Sequence, residues 1–240
     1  MVRPLAFGYR LASAAYFTYI IAILPVLPPA LAGLGGHYQF LTINGLTLTT
    51  VALYIGALAA LFDSPHPNGN GNSKTNPGSP PATVLQAVWH FLLAVALPVE
   101  LIISLLYWSI VSLNSDFMFM AGQVILFPPW LDLSLHLAPA LVLLVSFARA
   151  HGQIVPRRAH LVFLTLFGLA YFGWMHIVFY YGGNWPYPFL ALMTHTQRIL
   201  FSASALVVLL LVYYGSFTLA RLVLGTPQTS VPTIPTKKAA

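Results

Sequence analysis

Asp132 and His136 stand four residues apart in the run Trp130-Leu131-Asp132-Leu133-Ser134-Leu135-His136. On a helix that spacing puts both side chains on one face. A carboxylate so placed can hold an imidazole in one tautomer and one orientation, as the third member of a catalytic triad does. The same carboxylate also suits a helix N-terminus, where the macrodipole stabilises negative charge, and the residues alone leave both readings open. The eight histidines are His37, His66, His90, His136, His151, His160, His176 and His195. No two are three or four residues apart, so no single helix presents two imidazoles to a metal. Thr42 offers a hydroxyl, but a threonine in an apolar helix ordinarily bonds the carbonyl four residues back. Cysteine is absent, which excludes disulfides, thiolate nucleophiles, Cys-ligated zinc and iron–sulfur clusters. The chain also lacks G-x-S-x-G, H-E-x-x-H and any glycine-rich phosphate loop.

These residues need elements to carry them, and composition says what kind. Only 6% of the 240 residues are charged and 58% are hydrophobic, with a mean hydropathy of +0.81. A soluble domain carries roughly 25% charged residues, so a water-facing surface is ruled out. Apolar stretches at 11–34, 41–62, 84–111, 131–148, 160–181 and 199–224 each reach or approach the roughly 20 residues that cross a bilayer as a helix. The predicted fold is all-α, a bundle of six transmembrane helices over residues 1–224. Pro25, Pro28 and Pro29 predict a kink in the first span. That span lacks a small-residue cleavage site and reads as retained. Residues 63–83 are rich in Pro, Gly, Asn and Ser and predict a mobile loop, and residues 225–240 a disordered tail.

Six spans put the N-terminus, the 63–83 loop, the 149–159 loop and the C-terminus on one side. That side holds Arg3, Arg10, Lys74, Arg149, Arg157, Arg158, Arg221, Lys237 and Lys238, nine in all, against Arg198 alone on the other. Basic residues concentrate on the cytosolic side, so both termini are predicted there. The net charge of +6 therefore sets topology, and no basic face is left for nucleic acid. With that topology Thr42, Asp132, His136, His176, Trp185, Tyr187, His195 and Arg198 all fall at the outer membrane depth. His136 lies roughly 8 Å along its helix from the start. Trp130, Trp185 and Tyr187 also suit an interfacial aromatic belt. Glu100, near the middle of span three, reads either as a buried acid or as a cavity-facing one.

Several of these residues together carry a resemblance. Gln39-Phe40-Leu41-Thr42 resembles the K-F/Y-L-T-F opening of the androgen-induced protein and androgen-dependent tissue-factor-pathway-inhibitor-regulating protein family. Pro129-Trp130-Leu131-Asp132 followed by His136 is similar to its G-W-L-N-H-x-x-H segment. Trp174 and His176, then Trp185-Pro186-Tyr187-Pro188-Phe189-Leu190, resemble its W-V-H…W-x-Y-P-F-L stretch, with Arg198 following. Ala94–Val99 resembles its third-span A-x-x-F-P-V. The chain departs from the family at Asp132, where Asn is usual, at Leu133, at Gly45 beside Asn44, and at Glu100.

The resemblance implies a multipass, metal-independent hydrolase of fatty acid esters of hydroxy fatty acids, with Thr42 as nucleophile and His136 as base. No cofactor is implied. Asp132, His176, Trp185, Tyr187 and Asn44 are expected to support the pair, with His176 or Trp185 as candidate oxyanion donors. Arg198 is expected to bind the substrate's free carboxylate. The expected partners are membrane lipids and a lipid ester that enters laterally from the bilayer of the endoplasmic reticulum or plasma membrane. Two other classes remain open from the residues alone. One is a metal-dependent lipid hydrolase using His136, His176, His195 and Asp132 as ligands; the other is a non-enzymatic lipid-binding protein.

Overall fold

The computed structural model describes residues 3–24, 34–62, 83–114, 117–118 and 128–225. The proline cluster at 25–29, nearly all of the 63–83 loop and the tail beyond Gly225 lie outside the described residues. Regular structure among the described residues is helical, apart from one isolated bridge between His151 and Ile154. The helices are α1 (Arg3–Ile23), α2 (Leu41–Leu61), α3 (Val84–Leu113), α4 (Pro129–His136), α5 (Ala138–Arg149), α6 (Arg158–Gly182), α7 (Pro188–Ala191) and α8 (His195–Leu224). A short 3₁₀ turn, Gly36–Gln39, leads into α2.

Five of these helices are long and apolar enough to cross a membrane; α4 and α5, bent by 43° at their junction, pass the same test only as a pair and bring the count to six if they cross as one span. The chain is a multipass helical membrane protein. The predicted unbroken helix over 131–148 is therefore two helices joined at Leu137. Pro139 is the physical cause: it has no N–H for the Leu135 carbonyl, and its ring crowds that carbonyl. The break places His136 in the last turn of α4. It also leaves the His136 carbonyl to accept a hydrogen bond from the Ser104 hydroxyl on α3, at 2.6 Å. The last span starts at His195, earlier than the apolar run suggested. Thr194 caps it by accepting from the Gln197 N–H, while Gln197 answers with its own side chain.

α1, α2 and α3 pack closely around the core residues Phe17, Ile20, Leu46, Leu53, Leu93 and Leu97. Lipid supplies no hydrophobic drive between spans, so small residues that admit close approach hold such helices together. Gly56 on α2 lies against the Trp89 ring of α3, where a Cβ would stand 2.6 Å from a ring carbon. The Arg10 guanidinium of α1 lies over that ring, 4.5 Å from its centroid, and donates to the Gly56 carbonyl at 2.7 Å. Nearer the N-terminal end of α2, Gly45 makes room for Ile103 and Glu100. The Glu100 carboxyl is buried, and Thr49 donates to it at 2.8 Å. Of the two readings of Glu100, burial is the one observed.

Candidate active site

The N-terminus of α2 is held by α6 and the loop that follows it. Asn44 donates to the carbonyls of Tyr38 (2.9 Å) and Phe40 (2.8 Å), closing the turn that precedes the helix. Trp174 on α6 donates from its indole to the same Tyr38 carbonyl at 3.0 Å. Gly35 makes that approach possible: it sits at φ 85°, and a Cβ there would lie 2.6 Å from the Trp174 ring. The Tyr171 hydroxyl lies 3.0 Å from the Gln39 carbonyl and 3.2 Å from the Tyr187 hydroxyl. Tyr187 in turn accepts the first N–H of the helix, from Leu41, at 2.9 Å. Burial raises the Tyr187 phenol above its ordinary value, so it serves here as a neutral hydroxyl.

Thr42 follows directly. The Tyr38 carbonyl, four residues back, is occupied by Asn44 and Trp174, and the Thr42 hydroxyl makes no hydrogen bond to any described residue. Thr47 and Thr50 instead bond the carbonyls of Ile43 and Leu46, as membrane threonines ordinarily do. The backbone N–H of Thr42, in the first turn of α2, also has no acceptor among the described residues.

Thr42 lines a cavity of about 280 Å³ between the start of α2 and helices α3, α6 and α8. Its hydroxyl-bearing wall residues are Thr42, Tyr107, Tyr171, Tyr187 and Ser202; apolar side chains make up nearly all the rest. Leu169 and Ile199 line the cavity and are also exposed on the apolar outer surface, 54% and 44%. The cavity therefore has an apolar side wall toward the bilayer.

His136 is buried, and its Nδ1 lies 2.8 Å from Asp132 Oδ1. A carboxylate only accepts, so a proton lies on Nδ1 toward Asp132; in a neutral imidazole that tautomer leaves the lone pair on Nε2, the arrangement a general base needs. Tyr107 stacks flat on the imidazole, with centroids 3.5 Å apart and planes 3° off parallel. Its hydroxyl donates to the same Asp132 oxygen at 2.6 Å. No hydrogen bond joins Thr42 to His136; Tyr107 is the residue that contacts the imidazole and also lines the cavity. The sequence reading missed Tyr107. Its signal is the spacing of Glu100, Ser104 and Tyr107, which puts three polar groups on one face of an apolar helix.

The remaining expected site residues form a separate cluster. Trp185 is stacked on Phe179 at 4.3 Å, carries the Arg198 guanidinium on its other side at 4.4 Å, and meets the edge of His176 at 5.1 Å. None of His176, Trp185 and Arg198 is part of the cavity lining. His176 donates through Nδ1 to the Phe172 carbonyl at 2.9 Å, which uses the single N–H of a neutral imidazole. Arg198 donates through Nε to the carbonyl of Leu190, a cavity residue, at 2.8 Å; its terminal nitrogens have no partner among the described residues. His136 pairs with Asp132 while His176 faces His195, centroids 6.2 Å apart. The four residues of the metal reading are thus split between two places, and no three His, Cys, Asp or Glu side chains gather closely enough to hold a metal among the described residues.

The family profile described as FAR-17a/AIG1-like protein matches residues 6–220. The chain belongs to that family. The match takes in every helix that builds the cavity. A FAR-17a/AIG1-like chain is also similar to a UPF0641 membrane protein of Schizosaccharomyces pombe, 24% identical over 176 residues, covering 72% of this chain and 70% of the relative. No solved structure matches this chain.

Proposed function

We propose that this FAR-17a/AIG1-like protein is an intramembrane lipid ester hydrolase that cleaves fatty acid esters of hydroxy fatty acids, with Thr42 as nucleophile and His136 as base. The observation that carries the reading is Thr42: a threonine whose hydroxyl is withheld from its own helix, on the wall of an apolar cavity that shares a wall residue, Tyr107, with a carboxylate-held imidazole. A free threonine hydroxyl is a poor nucleophile until a base takes its proton. His136 Nε2 takes it, directly or through one water, as Oγ attacks the ester carbonyl carbon. The tetrahedral oxyanion collapses with cleavage of the C–O bond. The imidazolium returns the proton to the departing hydroxy fatty acid, leaving an acyl-Thr42 ester. Water deprotonated by Nε2 then releases the fatty acid and restores Thr42. The unpaired Thr42 N–H is a donor available to the oxyanion. The lipid ester reaches the cavity from the bilayer past Leu169 and Ile199.

A serine-hydrolase-type activity probe on the purified protein in nanodiscs tests this, with wild type compared against Thr42→Ala. Labelling and ester turnover that survive the substitution would sink the assignment.

Arg198 has terminal nitrogens free to take the substrate's carboxylate as a two-point ion pair. Arg198→Gln is expected to slow hydrolysis of esters with a free carboxylate by roughly tenfold to a hundredfold, the range for one charge-assisted bond. A neutral ester of similar size should lose far less. Equal losses on the two substrates would assign Arg198 to bracing the Leu190 carbonyl and Trp185 instead.

The nine-to-one distribution of Lys and Arg puts both termini and the 63–83 loop in the cytosol. Glycosylation acceptors inserted at residues 70 and 230 should remain unmodified, and one inserted near Asn184 should be glycosylated. The reverse pattern would invert the topology and place the site at the cytosolic side.

A further inference from the structure

We infer that Tyr107 is a positioning residue of the hydrolase, acting through Asp132 to hold His136 in the orientation a base needs. The inference rests on the reading of His136 as base. Its observations are separate from those that nominated Thr42.

Nδ1 faces two acceptors on Asp132, the carboxylate at 2.8 Å and the backbone carbonyl at 3.2 Å, but these hold one atom of the imidazole and leave the ring plane able to tilt. Asp132 is only partly buried and can itself rotate. Tyr107 removes both freedoms. Its ring lies against the imidazole face at 3.5 Å and 3°, which blocks the tilt. Its hydroxyl donates at 2.6 Å to the oxygen that receives the histidine proton, which blocks rotation of the carboxylate. One turn earlier on the same face of α3, Ser104 holds the His136 carbonyl at 2.6 Å. α3 therefore fixes the histidine at its backbone, its ring and its carboxylate partner, across the break in the fourth span. Tyr107 also lines the cavity whereas His136 does not, so this side chain is the link between the imidazole and the space where an ester would sit.

The test compares Tyr107→Phe with Tyr107→Leu in the full chain in nanodiscs, on a fatty acid ester of a hydroxy fatty acid. Phenylalanine keeps the stacked ring and loses the hydroxyl; leucine loses both. Tyr107→Phe is expected to lower kcat roughly tenfold, the loss for one aligned hydrogen bond, with KM little changed. Tyr107→Leu should cost more. Adding Tyr107→Phe to Asp132→Asn should cost little beyond Asp132→Asn alone, because the hydroxyl acts through the carboxylate. A fully additive double variant, a wild-type kcat in Tyr107→Phe, or a loss confined to KM would each overturn the role. A tyrosine that merely packs would lower melting temperature without that coupling. Thr42→Ala run alongside separates the two readings. Turnover in that variant removes the hydrolase assignment itself, whereas an inactive Thr42→Ala with an unaffected Tyr107→Phe removes only the role of Tyr107.

Discussion

Thr42→Ala and His136→Ala should each lower ester turnover by on the order of 10³-fold or more, and the double variant should be scarcely worse than either alone. Residues that act as one unit are non-additive in this way. The alanine at position 42 removes the attacking oxygen but leaves the pinned turn in place. That turn is held by Asn44, Trp174, Tyr171 and Tyr187, not by the threonine. Melting temperature should therefore stay near wild type in Thr42→Ala, so lost activity reports chemistry. His136→Ala is a harder substitution, since it removes the face on which Tyr107 stacks and empties the partner of Asp132. His136→Gln or His136→Asn keeps more of the volume and should be as inactive. Turnover, probe labelling and melting temperature measured on the same preparations decide the matter. Near-normal hydrolysis in Thr42→Ala would require another nucleophile.

The largest effect on stability should come from Gly56. A methyl added there would stand 2.6–2.8 Å from three carbons of the Trp89 indole. That ring has nowhere to go: it is 1% exposed, and the Arg10 guanidinium covers it at 4.5 Å. The Arg10 contact is itself tied to the Gly56 carbonyl, so displacing the ring also disturbs the bond that joins α1 to α2. Gly56→Ala should destabilise by about 1–3 kcal/mol, the usual cost of overpacking a filled contact, and Gly56→Leu should prevent accumulation of folded protein. Gly8→Ala is the control, because a Cβ at that helical glycine meets nothing within 4 Å. It should be neutral or slightly stabilising, as alanine in place of glycine favours a helix. If the two alanine variants melted together in detergent, close α2–α3 packing at Gly56 would not be what holds these spans.

What the chain determines by itself is its solvent and its periodicity. Fourteen charges in 240 residues leave no route to a water-soluble fold, and backbone groups in lipid must satisfy each other within helices. A multipass helical architecture follows from that alone. The Asp132–His136 pair was equally legible, because a spacing of four residues on a helix is a contact whatever the rest of the molecule does. Contacts between helices were not legible, because they depend on rotation and close approach of spans that are far apart in sequence. Tyr107 reaches Asp132 across 25 residues and Tyr187 reaches Leu41 across 146. The spacing of Glu100, Ser104 and Tyr107 marks a polar face on α3 but does not name the partner that face meets, and Tyr187 has the look of an interfacial tyrosine. Pro139 was visible in the sequence, yet the bend it imposes became meaningful only once Ser104 was seen to donate to the His136 carbonyl at the break. Arg198 shows the same limit from the other direction. Charge counting set it apart from the other basic residues, but whether it meets the cavity or the Trp185 ring was decided by how α8 rotates against the loop that precedes it. Depth in the membrane is a property of sequence position, whereas the direction a side chain faces at that depth is a property of packing.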